Sequence, residues 1–226
     1  SAIAGYREET KIKADLVARD PRNNSQRERL LIARATLGRT LALAGRQDEG
    51  SAMLTQALQE ARRLHAIESA STFYQEDIGL YAAQLARVER LRGNLAEADK
   101  LVAESLAMLD KMVRANPSQP AWQRERAEAL TEQAELSIAR GEPAIAPLQA
   151  ALAILEPQLK QSPQERSTVL ATVAARLRLA AASPAPLRGD LASRSLATLE
   201  SQTAARNDPR IRALHAYALH QLGRVG

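Results

Sequence analysis

Apolar positions along the chain recur at helical spacing and are broken by glycines at a fixed interval. Ile78, Tyr81, Leu85 and Val88 fall 3, 4 and 3 residues apart, one stripe of an amphipathic helix. Leu95, Val102, Leu106, Leu109 and Val113 make a second stripe beyond Gly93. Around Gly45 the stripes are Leu30, Leu37, Leu41 and Ala44 before it, and Leu54, Ala57, Leu58, Ala61 and Leu64 after it. Ile145, Leu148, Leu152, Leu155 and Leu159 follow Gly141. Gly45, Gly93, Gly141 and Gly189 are each 48 residues from the last. A glycine between two amphipathic helices predicts a helix end at positive φ, where the lack of a Cβ removes the steric penalty. The pattern therefore predicts helical hairpins, with helix A before each glycine and helix B after it.

Between hairpins, Asp20-Pro21, Asn116-Pro117, Ser162-Pro163 and Asp208-Pro209 read as an N-cap followed by proline at the first helical position. Ser162 and Glu165 read as a capping box. The join at 68–72, "ESAST", has capping candidates but no proline. Pro184 and Pro186 predict that one helix A ends near Ala182 and that a longer loop precedes Gly189, and Pro157 predicts a kinked or ended helix B. The predicted units are 1–19 (a partial unit, helix B), 20–67, 68–115, 116–161, 162–207 and 208–226 (a partial unit, helix A). Both ends cut through a unit, so the chain reads as a piece of a longer protein. No single hairpin can bury its stripe, so neighbouring hairpins must complete the core.

Composition agrees with an all-α fold. The 226 residues are 45% hydrophobic but only 3% aromatic, with alanine prominent, which suits close helix packing better than a β-sandwich. The absence of cysteine rules out disulfides and cysteine-based zinc sites. No apolar run approaches the ~20 residues of a membrane-spanning helix. A net charge of +5 invites a nucleic-acid reading, but the 26 arginines are interspersed with 26 acids, as on solvated helix faces.

Residues 31–64 carry a more specific pattern. Leu37, Gly38, Leu41, Gly45, Gly50, Leu54 and Ala57 stand at the spacing of the tetratricopeptide repeat, with Arg34, Leu41 and Gly50 departing from its tryptophan, tyrosine and alanine. Leu85, Ala86, Gly93, Ala98 and Val102 continue it, as do Ala134, Gly141, Ala146 and Ala153. The chain thus resembles tetratricopeptide-like repeats with lengthened units, of the kind found beside catalytic domains, serine/threonine kinases among them, in large bacterial proteins. The resemblance implies a right-handed α-α superhelix, a solenoid of antiparallel hairpins, acting as a non-catalytic protein-binding or scaffold module. It implies a cytoplasmic location, or an extracytoplasmic one if the parent protein is membrane-anchored.

Candidate chemistry is sparse. His215 and His220 are five apart, about 140° round a helix, and cannot share a metal as i,i+4 histidines do. No G-x-S-x-G, P-loop or G-x-G-x-x-G occurs, so neither catalytic residues nor a cofactor are expected. The Arg-Gly-Asp at 188–190 aligns with 92–94 and 140–142 and reads as a hairpin feature. Tyr74 and Trp122, 48 residues apart, read as packing residues. In the repeat family the inner surface of helix A lies opposite the packing stripe. Arg39 is about 200° from Leu37 and Arg87 stands likewise to Leu85, while Glu135 is their equivalent, with Arg90, Gln84 and Glu132 nearby. These six residues form the predicted groove, basic at its N-terminal end and acidic in the third unit, for an extended or helical peptide of opposite charge order. Ala35 and Arg39 occupy the first two places of the family's carboxylate clamp, which is therefore missing. Two rival readings are a nucleic-acid-binding helical solenoid and a self-association module that forms homo-oligomers through the cut repeat ends. Nucleic acid is not the expected partner, nor is a membrane.

Overall fold

The structure is a computed structural model that describes residues 2–202 and 207–224. Of the predicted segments, Ser1, 203–206 and 225–226 lie outside the described residues. The described residues form ten helices and no strand: α1 (Ala2–Arg19), α2 (Asn24–Leu43), α3 (Gln47–Ile67), α4 (Thr72–Leu91), α5 (Leu95–Ala115), α6 (Pro120–Ala139), α7 (Ile145–Gln161), α8 (Arg166–Ala181), α9 (Ala185–Glu200) and α10 (Pro209–Gln221). The chain divides into two compact units, 1–118 and 119–226.

Three predicted hairpin turns close as the glycine period requires. Gly45, Gly93 and Gly141 have φ of 79°, 84° and 72°. Each sits in a Schellman motif, in which Arg46, Asn94 and Glu142 donate backbone N–H to Leu41, Glu89 and Ser137 carbonyls at 2.9, 2.8 and 2.8 Å. The fourth hairpin departs from this. Gly189 lies inside α9, and the turn is Ala182–Pro184. Pro184 occupies the place of Arg46 and has no N–H to give the Leu179 carbonyl. The Ser183 hydroxyl donates to that carbonyl instead, at 2.6 Å, and no glycine is needed. Helix α8 ends at Ala181 as expected, but the expected longer loop is absent, because Pro186 fits the first turn of α9. Pro157 does not end α7, which runs on to Gln161.

The joins correct the capping assignment. Asp208 is the N-cap of α10, with Pro209 at its first position, and its side chain accepts from Arg210 N–H at 2.8 Å. Asn116 and Ser162 are instead C-caps of α5 and α7. A residue before proline is pushed out of the α region, so it ends the preceding helix. A four-residue turn follows, closed by Asn23 N–H to Asp20 O (3.2 Å), Ser71 to Glu68 (3.1 Å) and Glu165 to Ser162 (3.1 Å). The fourth residue of each turn is the N-cap of the next helix. Glu165 is thus itself the N-cap, accepting from Ser167 and Thr168, rather than the third residue of a capping box.

In the unit 1–118, α1 to α5 each pack on the next, and α2 also touches α4. The helices alternate in direction. Arg27 near the start of α2 donates to Glu60 near the end of α3 at 2.6 Å, and Ser51 near the start of α3 donates to Glu89 near the end of α4 at 2.5 Å. Helices α2 and α4 therefore run parallel. The predicted stripes Ile78–Val88 and Leu54–Leu64 are buried, while Ala44 is exposed at the helix end. The hairpins differ in how they fit. In the first, Gly38 and Gly50 bring α2 and α3 together, so that a Cβ on Gly38 would lie 2.9 Å from Leu54 Cγ and 3.0 Å from the Gly50 carbonyl. In the second, Ala86 and Ala98 hold those places, fully buried, and the close approach is Gly79 against Leu109.

In the unit 119–226, α6 through α10 pack in succession, with α8 also touching α6 and α10. Val173 and Leu177 of α8, Ala192, Leu196 and Leu199 of α9, and Ile211 and Ala218 of α10 share one core cluster. Arg176, almost fully buried, ties three of these helices together. It donates to both Glu156 oxygens of α7 (2.7 and 2.5 Å) and to the Thr198 hydroxyl of α9 (2.9 Å). Trp122 and Tyr74 are buried, each in its own unit.

Candidate functional site

Four of the six predicted groove residues fall on the parallel helices of unit 1–118. Arg39 on α2 and Arg87 on α4 are exposed, and Gln84 and Arg90 are half-buried. The guanidinium groups of Arg39 and Arg87 make no ion pair or hydrogen bond among the described residues. Glu132 and Glu135 fall on α6 in the other unit, where Glu132 is buried and Glu135 accepts from Arg178 of α8.

The 48-residue period makes α2 and α4 two copies of one column. Glu28, Ile32, Thr36, Arg39 and Leu43 on α2 stand at the same register as Glu76, Leu80, Gln84, Arg87 and Leu91 on α4. On an α-helix each set of five stays within about 80° of arc, so each forms a single face. Several of its apolar members are open to solvent: Ile32 at 44%, Leu43 at 67%, Leu91 at 53%, and Phe73, in line with Leu80 and Leu91, at 71%.

At the N-terminal end of this face the charge is negative. Asp77 accepts a hydrogen bond from Tyr81 and lies in the fields of Glu28 and Glu76. Burial raises its carboxyl most. The two neighbouring carboxylates add to the rise, Tyr81 offsets part of it, and the result is about 6. The side chain thus changes charge in the range where most surface carboxylates are already ionised. At the C-terminal end the charge is positive, from Arg39 and Arg87. Between them lie Ile32 and Leu80, then Thr36 and Gln84, whose side-chain hydroxyl and amide make no hydrogen bond among the described residues.

The acidic end escaped the sequence reading, which singled out Gln84 and the arginines. Its signal was present in Glu28 and Glu76 at matching register, but Asp77 looks like any helical carboxylate until α2 is packed beside it. Nothing in the described residues brings three or more His, Asp or Glu into a group able to hold a metal ion. No helix among them is long and apolar enough to cross a membrane. A scan against protein-family models and a search of curated proteins find no match to this chain.

Proposed function

We propose that the chain is a non-catalytic protein-binding module built from tetratricopeptide-like hairpins, and that it takes a peptide segment of its partner on the α2–α4 face. The observation that carries this reading is the pair of matched columns, which keep aliphatic and cationic side chains in solvent on rigid parallel helices. Rigid elements that display an exposed mixed surface suit recognition of a peptide. The hairpin turns, the register and the buried stripes support the repeat assignment. In a larger protein such a module would act as a docking arm, leaving any catalysis to other domains.

A nucleic-acid surface is less well supported, because many arginines are occupied by acids. Arg27, Arg62, Arg92, Arg176, Arg178 and Arg194 all pair with glutamate or aspartate. The test is affinity capture from extract of the source cells with two baits: the chain, and a variant carrying Arg39→Glu, Leu43→Glu, Arg87→Glu and Leu91→Glu. A protein retained by the first bait and lost by the second is expected. Identical captures would refute the assignment of the face.

A further inference from the structure

The α2–α4 face is polarised along its length as well as exposed, and this restricts what can lie on it. The acidic end holds Glu28, Glu76 and Asp77. Arg27 and Arg29 share that turn, but Arg27 is committed to Glu60, so three acids there face one uncommitted base. The basic end holds Arg39 and Arg87, both unengaged among the described residues. Glu28 and Arg39 are 11 residues apart on one helix, as are Glu76 and Arg87, which separates the two ends by about 16 Å. An extended chain covers about 16 Å in five residues.

We propose, resting on the peptide-binding reading above, that the ligand is an extended segment with a lysine or arginine and an aspartate or glutamate five residues apart, separated by aliphatic side chains. The cation sits against Glu28, Glu76 and Asp77, the carboxylate between Arg39 and Arg87, and the aliphatic groups over Ile32 and Leu80. Thr36 and Gln84 decide for an extended ligand over a helical one. They stand in the middle of the two columns with free hydroxyl and amide groups, which can meet the main-chain N–H and C=O of an extended peptide. A helix satisfies those groups internally and would leave Thr36 and Gln84 unused. The carboxylate needs no chain terminus, since two guanidinium groups can fork onto a side-chain carboxylate.

The experiment is selection of a random 12-residue peptide display library on the immobilised chain. One enriched peptide is then made with a fluorescent label and its binding measured by anisotropy. Enriched sequences are expected to carry opposite charges five positions apart with aliphatic residues between. The Arg39→Glu/Arg87→Glu variant, its fold checked by circular dichroism, is expected to bind the peptide about tenfold more weakly. The same variant should bind more tightly than the unmodified chain does to a peptide whose acid is replaced by lysine, a gain that mere loss of structure could not produce. Enriched peptides without this charge pattern, or indifferent to the substitutions, would overturn the inference while leaving peptide binding in place. A library that yields no enriched peptide would overturn both.

Discussion

The buried arginine of unit 119–226 makes an asymmetric prediction. Arg176 and Glu156 form a bidentate pair, but only one partner can reach water. The Arg176 side chain is 5% exposed and the Glu156 side chain 30%. Removing Glu156 as Glu156→Ala leaves the guanidinium buried with only the Thr198 hydroxyl and the Arg194 carbonyl, and with the Arg194 cation left nearby. An uncompensated buried charge of this kind costs roughly 3–5 kcal/mol. Removing the other partner as Arg176→Met keeps the apolar stem. Glu156 then rehydrates and retains Arg194, 3.2 Å away, and Thr198 still donates to the Arg194 carbonyl. The loss is then mainly that of charge-assisted hydrogen bonds partly replaced by water, about 1–2 kcal/mol. Replacing both, as Glu156→Leu/Arg176→Met, should return stability to within about 1 kcal/mol of the starting protein. Trp122 is the only tryptophan and lies in this unit, so urea titration followed by its fluorescence reports the relevant unfolding. Equal losses for the two single variants, or a larger loss for Arg176→Met, would refute the argument that water access to the surviving partner sets the cost.

Other predictions follow from the same geometry. Asp77 binds its proton more tightly folded than unfolded, so stability should fall as pH rises from about 4 to 6 and level off above. Asp77→Asn should remove that slope and raise stability at pH 7, by at most about 3 kcal/mol and less to the extent that water reaches the carboxylate, as read by thermal unfolding at stepped pH. Glu89 behaves oppositely: burial raises its carboxyl, but hydrogen bonds from Ser51, Asn94 and Arg92 together hold it below the usual range. Its contribution is present at neutral pH and lost as pH falls through that lowered value, so Glu89→Gln should flatten acid unfolding of unit 1–118. Ser183→Ala should cost about 1–2 kcal/mol in urea unfolding, because the Leu179 carbonyl loses its donor and Pro184 cannot replace it. Gly38→Ala gains about 1 kcal/mol of helix propensity but must push backbone and Leu54 apart. A net loss of about 1 kcal/mol is expected, and a gain would show that α2 and α3 can separate freely.

Most of the fold was legible because its punctuation is local. Three glycines at a 48-residue period mark three turns, since positive φ is a property of one residue and its immediate neighbours. The Asp20, Asn116 and Ser162 joins were misread for a reason equally local. Asn116-Pro117 satisfies the rule for a helix start and the rule for a helix stop, and choosing between them requires knowing that α5 is still running when it arrives. The exposure of the six residues assigned to the groove was half legible. A 200° offset from Leu37 and Leu85 correctly leaves Arg39 and Arg87 in solvent. Glu135 has the same offset, but its charge is met by Arg178, 43 residues away, and no spacing rule reaches that far. Asp77 needed to be buried, with Glu28 of α2 in its field, before its chemistry differed from that of any other carboxylate.

The close approaches within the two hairpins of unit 1–118 bear on how such arrays can be recombined. Leu31 and Ala61 in the first hairpin stand 48 residues before Gly79 and Leu109 in the second, and Leu31, Ala61 and Leu109 are fully buried. The bulky residue belongs to the first helix in one hairpin and to the second helix in the other, where Leu109 fills the space over Gly79. A chimera joining α2 to α5 would set leucine against leucine, and one joining α4 to α3 would leave glycine facing alanine across a void. The backbone is periodic while the joinery alternates. Hairpins should therefore transplant as whole cassettes, and exchange of single helices should fail even though every turn and register matches.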